Sequence, residues 1–269
     1  MKTFLKWAGN KTSIVDKIAP YLIGETLIEP FAGSCAVSLN TTFKKYICND
    51  INPDMISMFL QIQDDPIIFV EQAKKFFING NNESKFYELR ESYNSCQDQK
   101  LKSILFLYLN RHCFNGLCRY NSKGKFNVPF GKYTNPYFPE KEILEFANYT
   151  KNKFEFLNKN FTEVFLLADK DSVIYCDPPY LPLTNTADFS KYATLDFSLN
   201  DHIQLKDLAI EYSKKHNCNV IISNHDTDDI RDLYKEADEI VSFNVKRTIA
   251  SKAANRKNAP ELLAIYKGK

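Results

Sequence analysis

Short apolar runs alternate with segments of helical periodicity along most of the chain, and this alternation restricts the fold more than any other feature. The apolar runs lie at residues 27–31, 46–48, 173–176, 220–223, 240–245 and 262–266. Helical patterns lie at residues 12–22, 54–63 and 199–215. Such alternation predicts an α/β fold with a mainly parallel sheet covered by helices on both faces. No long helix separates the last two runs, so we expect an antiparallel hairpin that makes the sheet mixed.

The segment from about residue 64 to residue 139 departs from this alternation. Helical patterns at 66–77 and 100–111 are followed by a stretch rich in Asn, Gly, Lys, Arg and aromatic residues. We interpret the segment as a mostly helical insertion that carries a long functional loop.

Net charge and cysteine content narrow the class of protein. The net charge is only +2, so a nucleic-acid-binding surface has to be a local basic patch. The seven cysteines show no Cys-x-x-Cys spacing, which favours reduced thiols over a disulfide framework or a zinc site. We see neither a signal peptide nor an apolar run long enough to span a membrane, and therefore expect a soluble, cytoplasmic protein.

The first chemical signal is a small turn, Ile-Glu-Pro-Phe-Ala-Gly-Ser at residues 28–34, with Asp50 at the end of the next predicted strand. Ligands of open α/β sheets bind at the carboxyl ends of strands, where an acid can accept both hydrogens of a ribose diol. The turn has one glycine, Gly33, rather than the Gly-x-Gly-x-x-Gly of dinucleotide sites. It therefore fits S-adenosylmethionine, which has an adenosine and no phosphate. A purely structural turn is the alternative.

The second signal is an apolar strand at 172–176 that runs directly into Asp177-Pro178-Pro179-Tyr180. Each proline fixes φ and removes a backbone donor, so strand pairing must end there. A carboxylate, a carbonyl and an aromatic ring are thereby presented on a stiff turn. The alternative is a simple strand-ending turn with Asp177 as a solvated cap.

Several motifs, in one fixed order, resemble the Dam family of DNA adenine-N6 methyltransferases. They are Phe-Leu-Lys-Trp-Ala-Gly-Asn-Lys at 4–11, Glu-Pro-Phe-Ala-Gly at 29–33 and Asp-Pro-Pro-Tyr at 177–180. The resemblance is strongest at 107–111, 115–121, 126–131 and 222–226, and it covers nearly the whole chain.

The resemblance implies a Rossmann-like S-adenosylmethionine-dependent methyltransferase fold. Residues 1–53 and 140–269 would form the catalytic domain, and residues 54–139 the target-recognition domain, with its loop at about 112–135. It further implies S-adenosylmethionine as donor and double-stranded DNA as partner, with GATC as target. No obligatory protein partner and no membrane association are evident.

The predicted catalytic residues are Asp177, Pro178, Pro179 and Tyr180. Asp177 accepts one hydrogen of adenine N6 and the Pro178 carbonyl accepts the other, which concentrates electron density on N6 as it attacks the methyl group. Tyr180 is placed to stack on a base that has been flipped out of the duplex. We see no metal-ligand cluster, and methyl transfer from a sulfonium requires none.

Predicted cofactor contacts come partly from the strand ends and partly from the resemblance. By resemblance, Trp7 covers the adenine and Lys11 lies near the cofactor's carboxylate; core packing is the alternative for Trp7 and for Phe161. The full predicted set is Trp7, Lys11, Glu29, Phe31, Ala32, Gly33, Asp50, Phe161 and Asp177. Cys35 and Asn10 stand where the family often has glycine. We expect Cys35 to narrow the turn and Asn10 to tolerate a left-handed backbone.

Basic residues alternate with aromatic residues in the recognition loop, a composition that suits nucleic acid. By resemblance, Arg119 and Pro129 read bases, Leu117 contacts a thymine methyl or intercalates, and Lys6 reaches the first guanine. The full predicted DNA-contact set is Lys6, Arg111, Phe114, Asn115, Leu117, Arg119, Asn121, Asn127, Pro129, Lys132 and Tyr133. A solvated basic loop is the alternative. A second basic stretch, at 246–257, is predicted to be either a loop near the DNA or a plain hairpin loop.

Related classes of enzyme differ at the same motif. Cytosine-N4 methyltransferases usually have Ser in place of Asp177, and protein-glutamine or RNA methyltransferases more typically have Asn-Pro-Pro-Tyr. A non-catalytic DNA-binding relative is the remaining alternative. It is disfavoured because Lys11, Asp50, Asp177 and Tyr180 are all present.

Overall fold

The computed structural model describes residues 1–181, 197–246 and 258–268. Its contacts divide the chain into two compact units. The first unit comprises Met1–Ser13, Gly33–Thr41 and Asp50–Asn158, and the second comprises Ile14–Ala32, Thr42–Asn49 and Lys159–Lys269. The predicted catalytic and recognition domains are assignments of function, and their boundaries stay a prediction.

A mixed sheet of seven strands organises the described residues. In chain order the strands are β1 (Thr26–Glu29), β2 (Lys45–Asn49), β3 (Phe154–Leu157), β4 (Ser172–Cys176), β5 (Asn219–His225), β6 (Glu239–Lys246) and β7 (Asn258–Tyr266). Their spatial order is β3-β2-β1-β4-β5-β7-β6. The pairs β1–β2, β1–β4 and β4–β5 are parallel, whereas β5–β7 and β6–β7 are antiparallel. The predicted α/β fold, with its mixed sheet and terminal hairpin, is confirmed.

The strands form where the sequence supplies short apolar runs. All five residues of β4 are buried, as expected for a strand covered on both faces. All six predicted strands are present, with ends that differ by a few residues at most. The strand β3 was not predicted from the sequence, because its four residues alternate in burial and form an apolar pattern too short to indicate a strand.

Helices fill most of the connections between strands. They are α1 (Val15–Ile18), α2 (Pro53–Asp64), α3 (Pro66–Phe77), α4 (Glu83–Ser95), α5 (Gln99–His112), α6 (Glu140–Thr150), α7 (Phe161–Phe165), α8 (Leu199–Lys215) and α9 (Asp228–Leu233). The predicted helices α2, α3, α5 and α8 are confirmed. Their N-termini are capped by side chains that accept from backbone N–H groups of the first turn, those of Asn52, Asp65, Asp98 and Ser198.

The prediction of one continuous helix at 12–22 is wrong. The short helix α1 is flanked there by 3₁₀ turns at Thr12–Ile14 and Ala19–Tyr21. Pro20 has no backbone N–H to continue a helical ladder, so the segment breaks into short pieces. The sequence reading also missed α4, α6, α7 and α9.

The first unit has an aromatic core formed by Phe4, Phe59, Phe146 and Phe156. Ring centroids within this group lie 5.1 to 5.9 Å apart, mostly in tilted or edge-to-face arrangements that add to the burial of apolar area. None of the seven cysteines forms a disulfide. Over the described ranges, no helix combines the length and the hydrophobicity needed to cross a bilayer.

Candidate active site

In the first unit, the predicted cofactor turn lies against Trp7. Gly33 has a φ of +49°, in the left-handed region that favours glycine. A Cβ added at Gly33 would lie 2.6 Å from Trp7 Nε1, so the indole occupies the space that a side chain would need. Lys11, the other predicted residue of the N-terminal motif, is buried. The chain's single tryptophan is therefore held directly against the turn.

Asp50 is fixed by the backbone around it. Its Oδ2 accepts from the Gly33 N–H at 3.0 Å, and its Oδ1 accepts from the Asn52 N–H at 2.9 Å. Burial raises the pKa of Asp50, and these two hydrogen bonds oppose the increase. Each carboxylate oxygen keeps capacity for a further donor. The geometry therefore suits a carboxylate that accepts hydrogen bonds from the two hydroxyls of a ribose.

Cys35 and Asn10 stand where the family often has glycine, and they differ in backbone conformation. Cys35 is fully buried and, like Gly33 in the same turn, has a left-handed backbone, with a φ of +58° that is strained for a residue other than glycine. Its expected effect of narrowing the turn stays a prediction. Asn10 is not among the residues with positive φ, and Gly9 before it takes that conformation instead. Asn10 Nδ2 donates to the hydroxyls of Thr3 and Ser34, at 3.0 and 2.9 Å. The expectation of a left-handed backbone at Asn10 is wrong, because the left-handed position of this motif is at Gly9. The Asn10 side chain instead links the motif to Thr3 and Ser34.

In the second unit, the connection that leaves β4 at Asp177–Tyr180, named the Asp177–Tyr180 turn after its prediction from the sequence, has an irregular backbone without an assigned turn or bend. Tyr180 packs edge-on against His225, with ring centroids 4.5 Å apart. The Pro179 carbonyl accepts a hydrogen bond from His202 Nε2 at 3.1 Å. The turn is thus held by contacts from β5 and α8 as well as by its own prolines.

The titratable neighbours of Asp177 are kept in their neutral forms. Burial raises the pKa of Tyr175, Cys176 and Tyr180 well above their ordinary values, and the charge of Asp177 adds to the increase. The Tyr175 hydroxyl pairs with Ser223 Oγ at 2.7 Å. Near neutral pH these phenols and this thiol stay protonated and add no negative charge beside Asp177.

Three phenylalanines of the second unit form a cluster. Phe31 lies 5.4 Å from Phe161 and 5.3 Å from Phe197 between ring centroids, and Phe161 lies 5.5 Å from Phe197. Glu29 and Ala32, at the same predicted turn, are buried. Phe161 is itself buried, which agrees with both interpretations of this residue, as a cofactor contact and as a core residue.

Lys6, in the first unit, is clamped by Asn110 of α5. Asn110 Oδ1 accepts from the Lys6 N–H at 2.9 Å, and its Nδ2 donates to the Lys6 carbonyl at 2.7 Å. A Cβ added at Gly116 would lie 2.2 Å from Lys6 Cβ, so only glycine allows this approach. The ammonium lies 3.6 Å from the Tyr133 ring centroid. Burial, followed by the charge of Arg111, lowers the pKa of Lys6 to about 8.

Arg119 and Asn127 form a pair that orients the arginine. Arg119 Nε donates to Asn127 Oδ1 at 2.7 Å, and Nη2 donates to the Asn127 carbonyl at 3.3 Å. Asn121 Oδ1 accepts from the N–H groups of Lys123 and Lys125, at 2.9 and 3.0 Å, which closes the loop between them. Arg119 is exposed. Two predicted DNA contacts, Asn121 and Asn127, therefore also shape the loop around an exposed guanidinium.

The remaining predicted DNA contacts differ in exposure. Phe114 is 42% exposed, beside Asn115 with a φ of +54°. Arg111 instead donates to two backbone carbonyls at 3.0 and 3.4 Å, and burial lowers its pKa. Its guanidinium is thus engaged within the protein. Pro129 and Lys132 are exposed, and Leu117 and Tyr133 are half-buried.

Three residues of these arrangements were not predicted from the sequence. Asn110 clamps Lys6, Asn52 supports Asp50, and His202 donates to the Pro179 carbonyl in the Asp177–Tyr180 turn. The available signal was a polar residue within an apolar helix pattern for Asn110, and a helix cap for Asn52. The second basic stretch, predicted at 246–257, has its side chains outside the described residues.

The mixed α/β sheet and the Asp-Pro-Pro-Tyr turn after a buried strand define the class of protein, an α/β methyltransferase. The chain belongs to the family described as D12 class N6 adenine-specific DNA methyltransferase, whose model matches residues 7–249. The predicted resemblance to the Dam family is confirmed. At the level of the family, the activity is methylation of adenine N6 in DNA.

Similar proteins are named DNA adenine methylase. The one from Vibrio cholerae serotype O1 is 45% identical over 267 residues, which is 98% of this chain and 96% of the relative. That from Salmonella typhi is 45% identical over 98% of this chain and 95% of its own. That from Escherichia coli (strain K12) is 44% identical over 99% of this chain and 95% of its own. A putative RNA methyltransferase from Pyrococcus horikoshii covers 100% of this chain and 90% of its own, but its TM-score of 0.43 and identity of 9% support no conclusion.

Proposed function

We propose that the chain transfers a methyl group from S-adenosylmethionine to adenine N6 at GATC in double-stranded DNA, after flipping the target adenine out of the duplex. The observation that carries the proposal is the Asp177–Tyr180 turn. It places a carboxylate and an aromatic ring directly after a buried strand, close enough for the charge of Asp177 to raise the pKa of the Tyr180 phenol. The GATC target and the individual residue roles rest on the resemblance to the Dam family.

The chemistry of adenine explains why an acid is needed at this turn. The N6 lone pair is delocalised into the ring, which makes the amino group a weak nucleophile. Asp177 accepts one N6 hydrogen and the Pro178 carbonyl accepts the other, so that the lone pair becomes localised on nitrogen. Proline restricts the direction of that carbonyl. Nitrogen forms the new bond to the methyl carbon and then loses a proton, while the electron pair of the broken carbon–sulfur bond stays on sulfur.

The residues of the first unit fit an adenosine that has no phosphate. The Gly33 N–H, which a phosphate nest would direct at an anion, is used to hold Asp50. Asp50 would receive the ribose hydroxyls, Trp7 would cover the adenine, and Lys11 would lie near the carboxylate. When bound, S-adenosylmethionine supplies the methyl group as an electrophilic carbon on a sulfonium.

The remaining proposed cofactor contacts belong to the second unit. Phe31 and Phe161 supply aromatic faces, which are favourable neighbours for a cation or an adenine ring. Glu29 and Ala32 would contact S-adenosylmethionine from the end of β1 and the turn that follows it. Asp177 would contact both S-adenosylmethionine and the target adenine.

The recognition loop supplies the contacts to DNA. Arg119 is oriented by Asn127 to read a base edge, and Lys6 reaches the first guanine from its clamped position. The exposed ring of Phe114 and the half-buried Leu117 provide apolar groups that can enter the base stack. Flipping a base costs a few kcal/mol, which stacking on Tyr180 would offset.

The test uses duplex oligonucleotides that contain GATC or each single-base variant of it, with methyl-labelled S-adenosylmethionine. We expect N6-methyladenine at GATC and far slower transfer on the variants. Asp177→Ala should abolish transfer and leave S-adenosylmethionine binding measurable by calorimetry. Asp177→Asn should retain part of the rate, because the amide oxygen still accepts but carries no charge.

Each part of the proposal has its own contrary result. Normal turnover by Asp177→Ala would contradict the catalytic role of Asp177. Transfer of the labelled methyl group to cytosine would contradict adenine as the methylated base. Equal rates on all duplexes would remove GATC. A fluorescent base analogue at the target position should brighten on binding, and no change in its emission would contradict base flipping.

A further inference from the structure

His202 is a buried histidine of the second unit to which the proposed chemistry assigns no role. It is fully buried in the first turn of α8. Its Nε2 lies 3.1 Å from the Pro179 carbonyl oxygen, and its Nδ1 lies 3.2 Å from the Tyr234 hydroxyl. Phe197 packs edge-on against the imidazole, with ring centroids 4.7 Å apart. Both ring nitrogens therefore have a partner.

These contacts determine where the protons lie. A carbonyl oxygen only accepts, so Nε2 of His202 must carry the hydrogen that meets Pro179. Burial lowers the pKa of His202 to about 4, so the ring is neutral near neutral pH and Nδ1 accepts from Tyr234. Burial also raises the pKa of Tyr234, which keeps its hydroxyl proton. Tyr234 thus donates to His202, and His202 in turn donates to the Pro179 carbonyl of the Asp177–Tyr180 turn.

The backbone of the turn explains why this hydrogen bond matters. Pro178 and Pro179 each have a fixed φ, so the remaining freedom of the turn lies in ψ. A hydrogen bond to the Pro179 carbonyl fixes ψ at Pro179 and with it the direction in which the chain enters Tyr180. Because the Tyr180 ring packs against His225, a rotation at Pro179 would displace the ring from this contact and change its position relative to Asp177.

The start of α8 is itself rigid, so the donor has a defined position. Ser198 and Asp201 form a capping box, in which Ser198 Oγ accepts from the Asp201 N–H and Asp201 Oδ2 accepts from the Ser198 N–H at 2.6 Å. His202 follows directly. Its imidazole is confined on one side by Phe197, which belongs to the cluster with Phe31.

We propose that His202 is a positioning residue for methyl transfer: it locks the Pro179 carbonyl and so keeps Asp177 and Tyr180 in their reactive arrangement. The inference rests on the proposed function, because it concerns the same turn. His202 acts through the backbone and contacts neither reacting atom, so its loss should slow the chemical step and leave binding of both substrates almost unchanged.

Two amide variants separate the hydrogen bond from the packing. His202→Gln places its Nε2 near the position of the imidazole Nε2 and can still donate to Pro179. His202→Asn places its nitrogen near the position of Nδ1, too far from that carbonyl. We expect the single-turnover rate of His202→Asn to fall by roughly 10- to 100-fold, and that of His202→Gln by only about 3-fold. KM for the GATC duplex and Kd for S-adenosylmethionine should change by less than about 3-fold in both.

The matched control is His216→Leu, which changes an exposed histidine at the other end of α8 and should leave all three constants unchanged. Rates are expressed per molecule that binds S-adenosylmethionine, which removes unfolded protein from the comparison. Equal rates for His202→Gln and His202→Asn, or a loss confined to KM, would overturn the proposal.

Tyr234→Phe provides a second measurement if His202→Asn does not fold. It removes the donor to Nδ1 and should lower the rate by about 3- to 10-fold at constant KM. An unchanged rate would equally count against the positioning role. Failure of the proposed function is distinguishable, because the wild-type chain itself would then not methylate adenine in the duplex.

Discussion

Replacing Gly33 by alanine tests whether the close approach of Trp7 to the cofactor turn is part of the binding site. Alanine keeps the backbone N–H that Asp50 accepts, so the acid stays supported. Its Cβ would lie 2.6 Å from Trp7 Nε1, where ordinary van der Waals contact begins at 3.4 Å. The indole must therefore retreat by roughly 0.8 Å or leave its rotamer.

Gly124→Ala is the matched control for backbone strain. Gly124 also has a positive φ, +68°, but nothing lies within 4 Å of the Cβ position. Both variants should lower the free energy of unfolding by about 1–2 kcal/mol, because alanine is strained in the left-handed region. Only Gly33→Ala should add about 0.5–1.5 kcal/mol for a displaced side chain, which corresponds to a roughly 2- to 10-fold higher Kd for S-adenosylmethionine.

The assay exploits the single tryptophan of the chain, Trp7. Its emission is recorded for both variants and titrated with the methyl-free product S-adenosylhomocysteine, and Kd for S-adenosylmethionine is measured by calorimetry. We expect altered emission and weaker binding in Gly33→Ala only. If the two variants match each other in emission and in Kd, Trp7 does not share the adenosine site and the reasoning fails.

Three further predictions concern specificity and pH. Arg119→Ala should lose about 1–3 kcal/mol of discrimination at one base pair of GATC, measured as rates on all single-base variants, whereas Lys123→Ala should weaken binding equally on all sequences and flatten its salt dependence. Lys6 is protonated below its pKa of about 8, so the proposed contact of Lys6 with guanine should weaken as pH rises through 8. The value of kcat/KM on the GATC duplex should then fall in the wild type and not in Lys6→Arg. Burial raises the pKa of Asp50, and a protonated carboxyl group accepts hydrogen bonds from hydroxyls less well. Calorimetry should therefore show that the affinity for S-adenosylmethionine falls as the pH decreases towards that pKa. Asp50→Asn should lose this pH dependence.

The features that could be predicted from sequence are those set by neighbours in the chain. The buried strand β4 and its abrupt end at two prolines follow from local apolar content and from the chemistry of proline. Asp50 could be placed because parallel strands bring their carboxyl ends to one edge of a sheet. The helix α4 was missed although Phe86, Leu89 and Tyr93 mark its buried face, because the rest of its surface is polar.

The features that could not be predicted join residues far apart in sequence. Asn110 reaches Lys6 across 104 positions, and Tyr234 meets His202 across 32. Nothing in the local pattern at either residue specifies its partner, since both pairings depend on how helices pack. The strain at Cys35 is similar: its left-handed φ follows from the path of the turn, and a cysteine gives no local indication of it.

The surroundings of Asp177 also bear on which atom receives the methyl group. A thiolate would be a stronger nucleophile than an aromatic amine, and Cys176 immediately precedes Asp177, the proposed catalytic residue. That thiol is fully buried, and burial, with the charge of Asp177, raises its pKa well above the ordinary value. The same carboxylate that is proposed to activate adenine N6 therefore helps to keep the adjacent sulfur protonated and unreactive. The Tyr180 phenol is subject to the same effect, so the negative charge of Asp177 favours attack by a neutral amine over attack by either side chain beside it.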